Sequence, residues 1–182
     1  MLYSIVYYPD LQDQRVEQFR KEHDPYVRLI RDHMTIVFPF SAKLGLSVLE
    51  NHMLAVLKKW RPFDIHFENI EKSWDHWLFL TLSKGEDEFI AIHDALYTGV
   101  LAPFLREDIK FKPHVALGYF GEYKYNPLKP ESLELNKVEY TKAVEKVRKM
   151  ELSFHRKVKR FTVVETDDTL TKSQDILDVN LV

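Results

Sequence analysis

The chain has 182 residues, a formal net charge of −2 at pH 7 and no cysteine. This length provides one full hydrophobic core but is short for two independent domains, and a composition of 45% hydrophobic residues excludes an extensively disordered chain. The absence of cysteine excludes disulfides and thiolate zinc sites and favours a reducing, cytoplasmic location. Because the net charge is close to zero, any affinity for phosphate must come from a local site.

The amino-terminal apolar run ends at Pro9, which is too early for a signal peptide or a membrane span. We therefore interpret the run as a first β-strand and expect no membrane attachment. Asp10 is the predicted N-cap of a following helix with Val16 and Phe19 on its apolar face. Pro25 ends that helix, because proline lacks the amide N–H that would continue the hydrogen bonding.

The rest of the chain alternates between strand-like and helix-like patterns. In chain order, the predicted elements are a helical turn over residues 26–30, a strand over 33–38, a helix opened by the capping box Ser47-x-x-Glu50, strands over 63–70 and 77–82, a helix over 85–99, a strand over 114–120, a loop over 121–130, a helix over 137–150, and strands near 152–165 and 175–181.

This order of elements, with helices mixed among hairpins, predicts an α+β fold with largely antiparallel sheets. The chain has five glycines, and none of them forms a glycine-rich phosphate loop or a dinucleotide-binding fingerprint. A phosphate site of either of those kinds is therefore excluded.

Two short segments repeat one pattern: RDHMTI at residues 31–36 and KPHVAL at residues 112–117. Side chains alternate between the two faces of a strand, so His33 shares a face with Thr35, and His114 shares a face with Ala116 and Gly118. The large aliphatic side chains between them point to the core. We expect the small residues on the histidine face to leave open space beside each imidazole.

A pair of strand histidines that face one cavity can cleave a phosphodiester. One neutral imidazole takes a proton from the attacking oxygen, and one imidazolium gives a proton to the leaving oxygen. The pattern leaves open which histidine does which. Thr35, Arg31 and Lys112 are the predicted contacts of the non-bridging phosphate oxygens, although each of the two basic side chains can equally extend into solvent.

Both segments resemble the paired H-x-[ST] motifs of the two-histidine (2H) phosphoesterase superfamily, and specifically small bacterial members of its 2′-5′ RNA ligase-like / 2′,3′-cyclic phosphodiesterase branch. The likeness continues through the predicted hairpin between them. It implies one domain over residues 1–182, built as two interleaved lobes with pseudo-twofold symmetry. In that arrangement two mainly antiparallel sheets carry helices on their outer sides, and the histidines face each other across the cleft between the lobes.

The resemblance also implies chemistry without a metal or cofactor, on a nucleotide or RNA end that carries a cyclic phosphate, by a protein expected to be a monomer. Ala116 departs from the family pattern, which has a hydroxyl at that position. Two hypotheses therefore remain: a cyclic phosphodiesterase, with RNA ligase activity in reverse left open, or a phosphate-binding module with weak turnover. A purely structural histidine pair is the third alternative. The substrate stays open among RNA 3′ ends, cyclic mononucleotides and ADP-ribose cyclic phosphate.

Several aromatic side chains are candidates for stacking on a base, although aromatic residues in strands are also typical of a core. They are Tyr119, Phe40 and Trp77, with Phe79 and Tyr123 as further candidates. The other six histidines show no spacing typical of metal ligands, so we predict no metal site.

Overall fold

Two four-stranded antiparallel sheets form the framework of the computed structural model, which describes residues 1–41, 44–122 and 134–182. The strands are β1 (Leu2–Tyr7), β2 (Met34–Phe40), β3 (Phe63–Lys72), β4 (Trp77–Lys84), β5 (His114–Tyr119), β6 (Phe154–Val158), β7 (Arg160–Thr166) and β8 (Ser173–Asn180). The helices are α1 (Gln14–His23), α2 (Leu46–Leu57), α3 (Glu86–Leu96) and α4 (Lys137–Arg148), with a 3₁₀ helix at Gly99–Phe104. No helix among the described residues is long and apolar enough to span a membrane.

Each sheet and two helices make one lobe. The first lobe contains the sheet β2-β1-β7-β8 with α2 and α3, and the second contains β5-β4-β3-β6 with α1 and α4. The two strand orders match when β2 is laid on β5, β1 on β4, β7 on β3 and β8 on β6. The predicted α+β fold with two pseudo-twofold lobes built on mainly antiparallel sheets is therefore confirmed.

The lobes exchange helices. Helix α1 follows β1 of the first sheet but packs against β5 of the second, and α3 follows β4 of the second sheet but packs against β2 of the first. On the first lobe, the Phe89 ring of α3 lies 5.6 Å from Tyr7 and 6.2 Å from Phe161, between ring centroids. Burying an aromatic side chain of this size contributes about 1.5–3 kcal/mol, so each exchanged helix ties the two sheets together.

Helix α1 begins later than predicted. Its N-cap is Asp13, whose carboxylate accepts hydrogen bonds from the amides of Arg15 at 2.8 Å and Val16 at 3.3 Å. The assignment of Asp10 as the cap is wrong, because the Arg156 guanidinium binds the carbonyls of residues 9–11 and holds that segment as a loop. Asp10 has a φ of 50° there, which is not helical.

Helix α2 also departs from its predicted start. It begins at Leu46 after Gly45, with no side-chain cap, so Ser47 lies inside the first turn and the predicted capping box is wrong. The helix buries Leu49, Met53 and Leu57 in the core. Helix α3 ends at Leu96, three residues before the predicted end at residue 99, and the chain continues into the 3₁₀ helix.

The region predicted to hold strands at 152–165 changes sheet. Strand β6 pairs with β3 in the second lobe, and β7 pairs with β1 in the first, with only Lys159 between them. Periodicity along the chain reports which face a residue occupies but not which strand lies beside it. The crossing at Lys159 is therefore information that the sequence pattern does not carry.

A buried ion pair closes the end of α1. The Arg20 guanidinium donates to the Asp24 carboxylate at 2.7 and 3.0 Å, and to the Ile30 carbonyl at 3.2 Å, while the other Asp24 oxygen accepts from the Tyr26 amide at 2.8 Å. Both charged side chains are buried. The pair fixes the segment that leads from α1 to His33.

Replacing Arg20 with methionine should therefore destabilise the fold by about 3–5 kcal/mol, because the buried Asp24 carboxyl loses its ion-pair partner. Urea denaturation measures the change in the free energy of unfolding. Arg15→Met is the matched control on the same helix: its ion pair with Asp13 is exposed on the arginine side, so the expected loss is much smaller. Equal losses for the two variants would contradict this role of Arg20.

Candidate active site

A cleft of 370 Å³ lies between the two lobes. It runs between β2 and β5, the edge strands of the two sheets, which lie next to each other. Its lining includes His33, Thr35, His114 and Ala116, so the two sequence segments that repeat one pattern meet at one site. A concave site of this size is sufficient for a small polar ligand.

The two histidines are held in the same way. His33 directly precedes β2, and its Nδ1 lies 2.9 Å from the Arg31 carbonyl; His114 begins β5, and its Nδ1 lies 2.6 Å from the Lys112 carbonyl. A carbonyl can only accept, so each Nδ1 carries the proton and donates it. Each Nε2 is then an unprotonated nitrogen, and within residues 1–41, 44–122 and 134–182 neither Nε2 has a hydrogen-bond partner.

Both imidazoles are neutral at physiological pH when the cleft is empty. Burial lowers the pKa of His33 from its ordinary value of 6.5 to about 4, and the positive charge of Arg20 lowers it further, against the opposing hydrogen bond to the Arg31 carbonyl. Burial also lowers the pKa of His114 to about 4; here the Lys112 carbonyl and the Asp75 carboxylate oppose the shift. A bound anion would favour the protonated form of either ring.

Thr35 is positioned as the strand period requires. It is directly opposite Val6 in the β1–β2 pair and lines the cleft, and its hydroxyl has no hydrogen-bond partner among the described residues. Ala116 occupies the corresponding position of β5, opposite Phe79, and presents only a methyl group. The cleft therefore has a hydroxyl on one side of the histidine pair and none at the matching point on the other.

The expected open space at Gly118 is absent. A β-carbon at this position would lie 2.6 Å from Cβ of His23, because α1 packs onto β5 there. The His23 ring lies 5.2 Å from Phe120, and burial lowers its pKa. Gly118 thus allows the exchanged helix to approach, whereas the space beside His114 is bounded by Ala116.

The two predicted basic contacts differ in position. Lys112 lines the cleft, where its ammonium lies 3.3 Å from Glu71 and 3.3 Å from Glu86. Although burial lowers the pKa of Lys112, the hydrogen bond and charge of Glu86 and the charge of Glu71 raise it to a net value above its usual one. Arg31 is exposed outside the cleft lining, 3.7 Å above the Tyr8 ring and 3.4 Å from Asp175. Its contact with phosphate stays a prediction.

Of the three aromatic residues proposed for base stacking, Trp77 lines the cleft and packs against Tyr119 at 5.4 Å between ring centroids. Tyr119 itself is half-buried and lies outside the cleft lining. Phe40 is 5% exposed and stacks on Phe104 at 4.8 Å, inside the core of the first lobe. The structure therefore brings one of the three to the site. Tyr123 and most of the predicted 121–130 loop lie outside the described residues.

The sequence pattern did not predict the positions of three further cleft residues, because these positions depend on how β3, β4 and β5 pair. Phe79, considered only as a base-stacking candidate, instead lies on His114, with 3.5 Å between ring centroids and 19° between ring planes. Glu71 accepts a hydrogen bond from the buried Thr81 hydroxyl at 2.6 Å, which, together with Lys112, lowers the pKa of its carboxyl. Trp74, in the β3–β4 turn, is 59% exposed on the rim of the cleft. The one sequence feature that could have indicated this position is a large apolar side chain in the turn of a predicted hairpin.

No group of three or more histidine, cysteine, aspartate or glutamate side chains in the described part of the chain is arranged to hold a metal ion. Further polar residues on the cleft lining include Asp75, Ser73 and Lys110. Their side chains lie on the β3–β4 turn and on the segment before β5.

Several known proteins resemble this chain in sequence or in fold. A predicted phosphoesterase of Bacillus licheniformis is 26% identical over 121 residues, which cover 64% of this chain and 70% of that protein. The crystal structure of the protein TT0787 from Thermus thermophilus matches with a TM-score of 0.56 at 16% identity, over 100% of this chain and 98% of that one. E. coli LigT in complex with 3′-AMP matches with a TM-score of 0.54 at 15% identity, over 100% and 99% of the two chains.

These solved structures share the fold, and a sequence model of a single family extends over most of the chain. That model describes the 2′-5′ RNA ligase superfamily and matches residues 8–169, which include both histidine segments and the hairpin between them. The resemblance of the two segments to the two-histidine phosphoesterases is thereby confirmed. The chain belongs to the 2′-5′ RNA ligase superfamily.

Proposed function

We propose that this protein is a phosphodiesterase that opens a cyclic phosphodiester, of the 2′,3′-cyclic nucleotide or RNA-end type, with His33 and His114 as its acid–base pair and without a metal. The observation that carries the proposal is the matched pair of hydrogen bonds from Nδ1 to a backbone carbonyl. These bonds leave two equivalent Nε2 atoms for one cleft. Membership of the superfamily and the phosphoesterase relative support the same activity.

In the proposed reaction, Nε2 of one neutral imidazole takes a proton from water as its oxygen attacks phosphorus. The other imidazole, protonated at Nε2, gives that proton to the ribose oxygen as its bond to phosphorus breaks. The product is a nucleotide with one phosphate monoester and one free hydroxyl. If a ribose hydroxyl of a second RNA end replaces water, the same proton transfers run a 2′-5′ joining reaction. Each transfer contributes about a hundred- to ten-thousand-fold.

Thr35 is the proposed donor to a non-bridging phosphate oxygen, because its free hydroxyl lies on the face of the first sheet that carries His33. Lys112 contributes positive charge near the same oxygens, reduced by its contacts with Glu71 and Glu86. The complex of E. coli LigT with 3′-AMP supports a nucleotide as the ligand, since that protein shares this fold.

Replacing either His33 or His114 with alanine should reduce hydrolysis of 2′,3′-cyclic nucleotides by about a hundred- to ten-thousand-fold, because one of the two proton transfers is lost. The rate is measured with purified protein in the presence of EDTA.

The control is His155→Ala, which removes an exposed imidazole that stacks on His66 outside the cleft. Its activity should equal that of the unsubstituted protein. Turnover that persists in the double variant lacking both His33 and His114 would rule out the mechanism, and turnover abolished by EDTA would rule out its independence from metal.

The lowered pKa values predict an acid-shifted pH profile. Each imidazole has a pKa of about 4 in the empty cleft, so the form with one protonated ring declines by about tenfold for each pH unit above that value. The value of kcat/KM should therefore rise as the pH falls from about 8 to about 5 and decline below about 4, where both rings are protonated. At saturating substrate, the bound phosphate favours the imidazolium, so kcat should stay high to a higher pH than kcat/KM.

Initial rates at limiting and saturating concentrations of 2′,3′-cyclic UMP across this range separate the two profiles. Neither the diester phosphate nor the uracil base of this substrate titrates in the range, so the substrate does not contribute to the pH dependence. A kcat/KM that peaks near neutral pH would contradict the burial of the two rings.

A second candidate function is capture of a nucleotide or RNA-end phosphate with little turnover, and Ala116 favours it, because its methyl group cannot donate to the phosphate. Restoring the hydroxyl with Ala116→Thr should raise kcat/KM by roughly ten- to hundred-fold, equivalent to about 1.5–3 kcal/mol for a hydrogen bond to a charged group. Ala116→Val, which has the same shape without the hydroxyl, is the control. If valine raises activity as much as threonine, the effect is one of shape. If only the threonine variant turns over, the natural protein is the binding module.

A further inference from the structure

The cleft extends beyond the histidine pair onto the inner strands of the first lobe. Its lining there consists of Leu2 and Ser4 from β1, Phe38 from β2, Thr166 from β7 and Leu170 from the turn after β7. The proposed mechanism assigns no role to any of these side chains. This end of the cleft therefore needs a separate explanation.

Strand register places these residues on one surface. Val6 is opposite Thr35, Ser4 is opposite Val164, and Leu2 is opposite Thr166. Residues directly opposite in antiparallel strands share a face, as do residues two apart in one strand. Leu2, Ser4 and Thr166 thus lie on the same face as Thr35, the proposed phosphate anchor.

Ser4 is the unusual member of this surface. It is 8% exposed, and its hydroxyl has no hydrogen-bond partner in the described ranges 1–41, 44–122 and 134–182. A nearly buried hydroxyl without a partner is unfavourable relative to one in water. A ligand that hydrogen-bonds to it in the cleft would recover that free energy.

The pseudo-twofold symmetry shows what Ser4 replaces. Thr35 corresponds to Ala116, each two residues after its histidine, so Val6 corresponds to Phe79 and Ser4 to Trp77. In the second lobe, Phe79 covers the His114 ring and Trp77 is buried against Tyr119. In the first lobe the same two positions hold a valine and a serine. Ser4 lines the cleft and fills less of it than an aromatic ring would, so the first-lobe side is the more open one, although Val6 itself is fully buried and outside the lining.

We propose that this open side, built around Ser4, is the subsite for the nucleoside of the substrate. Its walls at Leu2, Phe38 and Leu170 are apolar, and its polar groups are the uncharged hydroxyls of Ser4 and Thr166. A nucleobase has apolar faces and hydrogen-bonding edges, which match this lining. The second lobe instead offers the carboxylates Glu71 and Asp75. The inference rests on the proposed function, since it places the phosphate between the two histidines.

The test compares the affinities of two ligands that share a phosphate, 3′-AMP and inorganic phosphate, by isothermal titration calorimetry. Ser4→Leu fills the subsite. It should lower the affinity for 3′-AMP by about tenfold or more and change the affinity for inorganic phosphate by no more than about twofold. Ser4→Ala removes only the hydroxyl and should weaken 3′-AMP by about two- to tenfold. Ser83→Leu, the same exchange at an exposed position of β4 outside the cleft lining, is the matched control and should change neither affinity.

Trp74→Ala tests the alternative that the nucleoside binds on the second-lobe side, because it removes the exposed ring on that rim of the cleft. If Trp74→Ala lowers the affinity for 3′-AMP and Ser4→Leu does not, the nucleoside lies on the second-lobe side of the cleft and the proposal is overturned. It is also overturned if the natural protein binds 3′-AMP no more tightly than inorganic phosphate. Should Ser4→Leu fail to fold, Thr166→Val tests the other hydroxyl, with a loss of about two- to tenfold expected. These affinities do not depend on turnover, so they separate this proposal from the proposed hydrolysis.

Discussion

The hydrogen bond from each imidazole Nδ1 to the carbonyl two residues earlier in its own chain segment is the interaction on which the site depends. It selects the tautomer, orients the ring and leaves Nε2 available to the cleft. Many catalytic histidines are oriented by a carboxylate from another part of the fold. Here the acceptor is main chain, so no substitution of a side chain can remove it. Each of the two segments thus carries the histidine and also the backbone carbonyl that orients it.

The rest of the architecture brings those two edge strands together. Each sheet is covered by helices on its outer side, and α1 and α3 cross to the opposite lobe, which holds β2 and β5 side by side. The symmetry is close at the histidines and breaks immediately around them. Thr35 corresponds to Ala116, Val6 to Phe79, and Ser4 to Trp77. The two lobes share one backbone arrangement, but their different side chains make the two sides of the cleft chemically distinct.

Properties that depend on local periodicity could be predicted from the sequence. The strand period of two places His33 with Thr35 on one face, and the repeated pattern around His114 identifies the second motif. Contacts between strands could not be predicted in this way. Phe79 reaches His114 because β4 and β5 pair in one particular register, shifted by an irregularity between Leu78 and Phe79. Asp10 failed as a helix cap because Arg156, far along the chain, binds the loop that contains it. The role proposed for Ser4 rests on a comparison of the two lobes, which the sequence pattern does not provide.

The exchange of helices also has a consequence for synthesis of the chain. Helix α1 leaves the ribosome early, but β5, the strand against which it packs, is made roughly ninety residues later. Until then the apolar side of α1, at Val16 and Phe19, has no native surface to cover it. Contacts so distant in sequence slow folding and expose intermediates to aggregation. Translation of the amino-terminal half therefore cannot yield a finished lobe, and α1 gains its native partner strand only once β5 has been made.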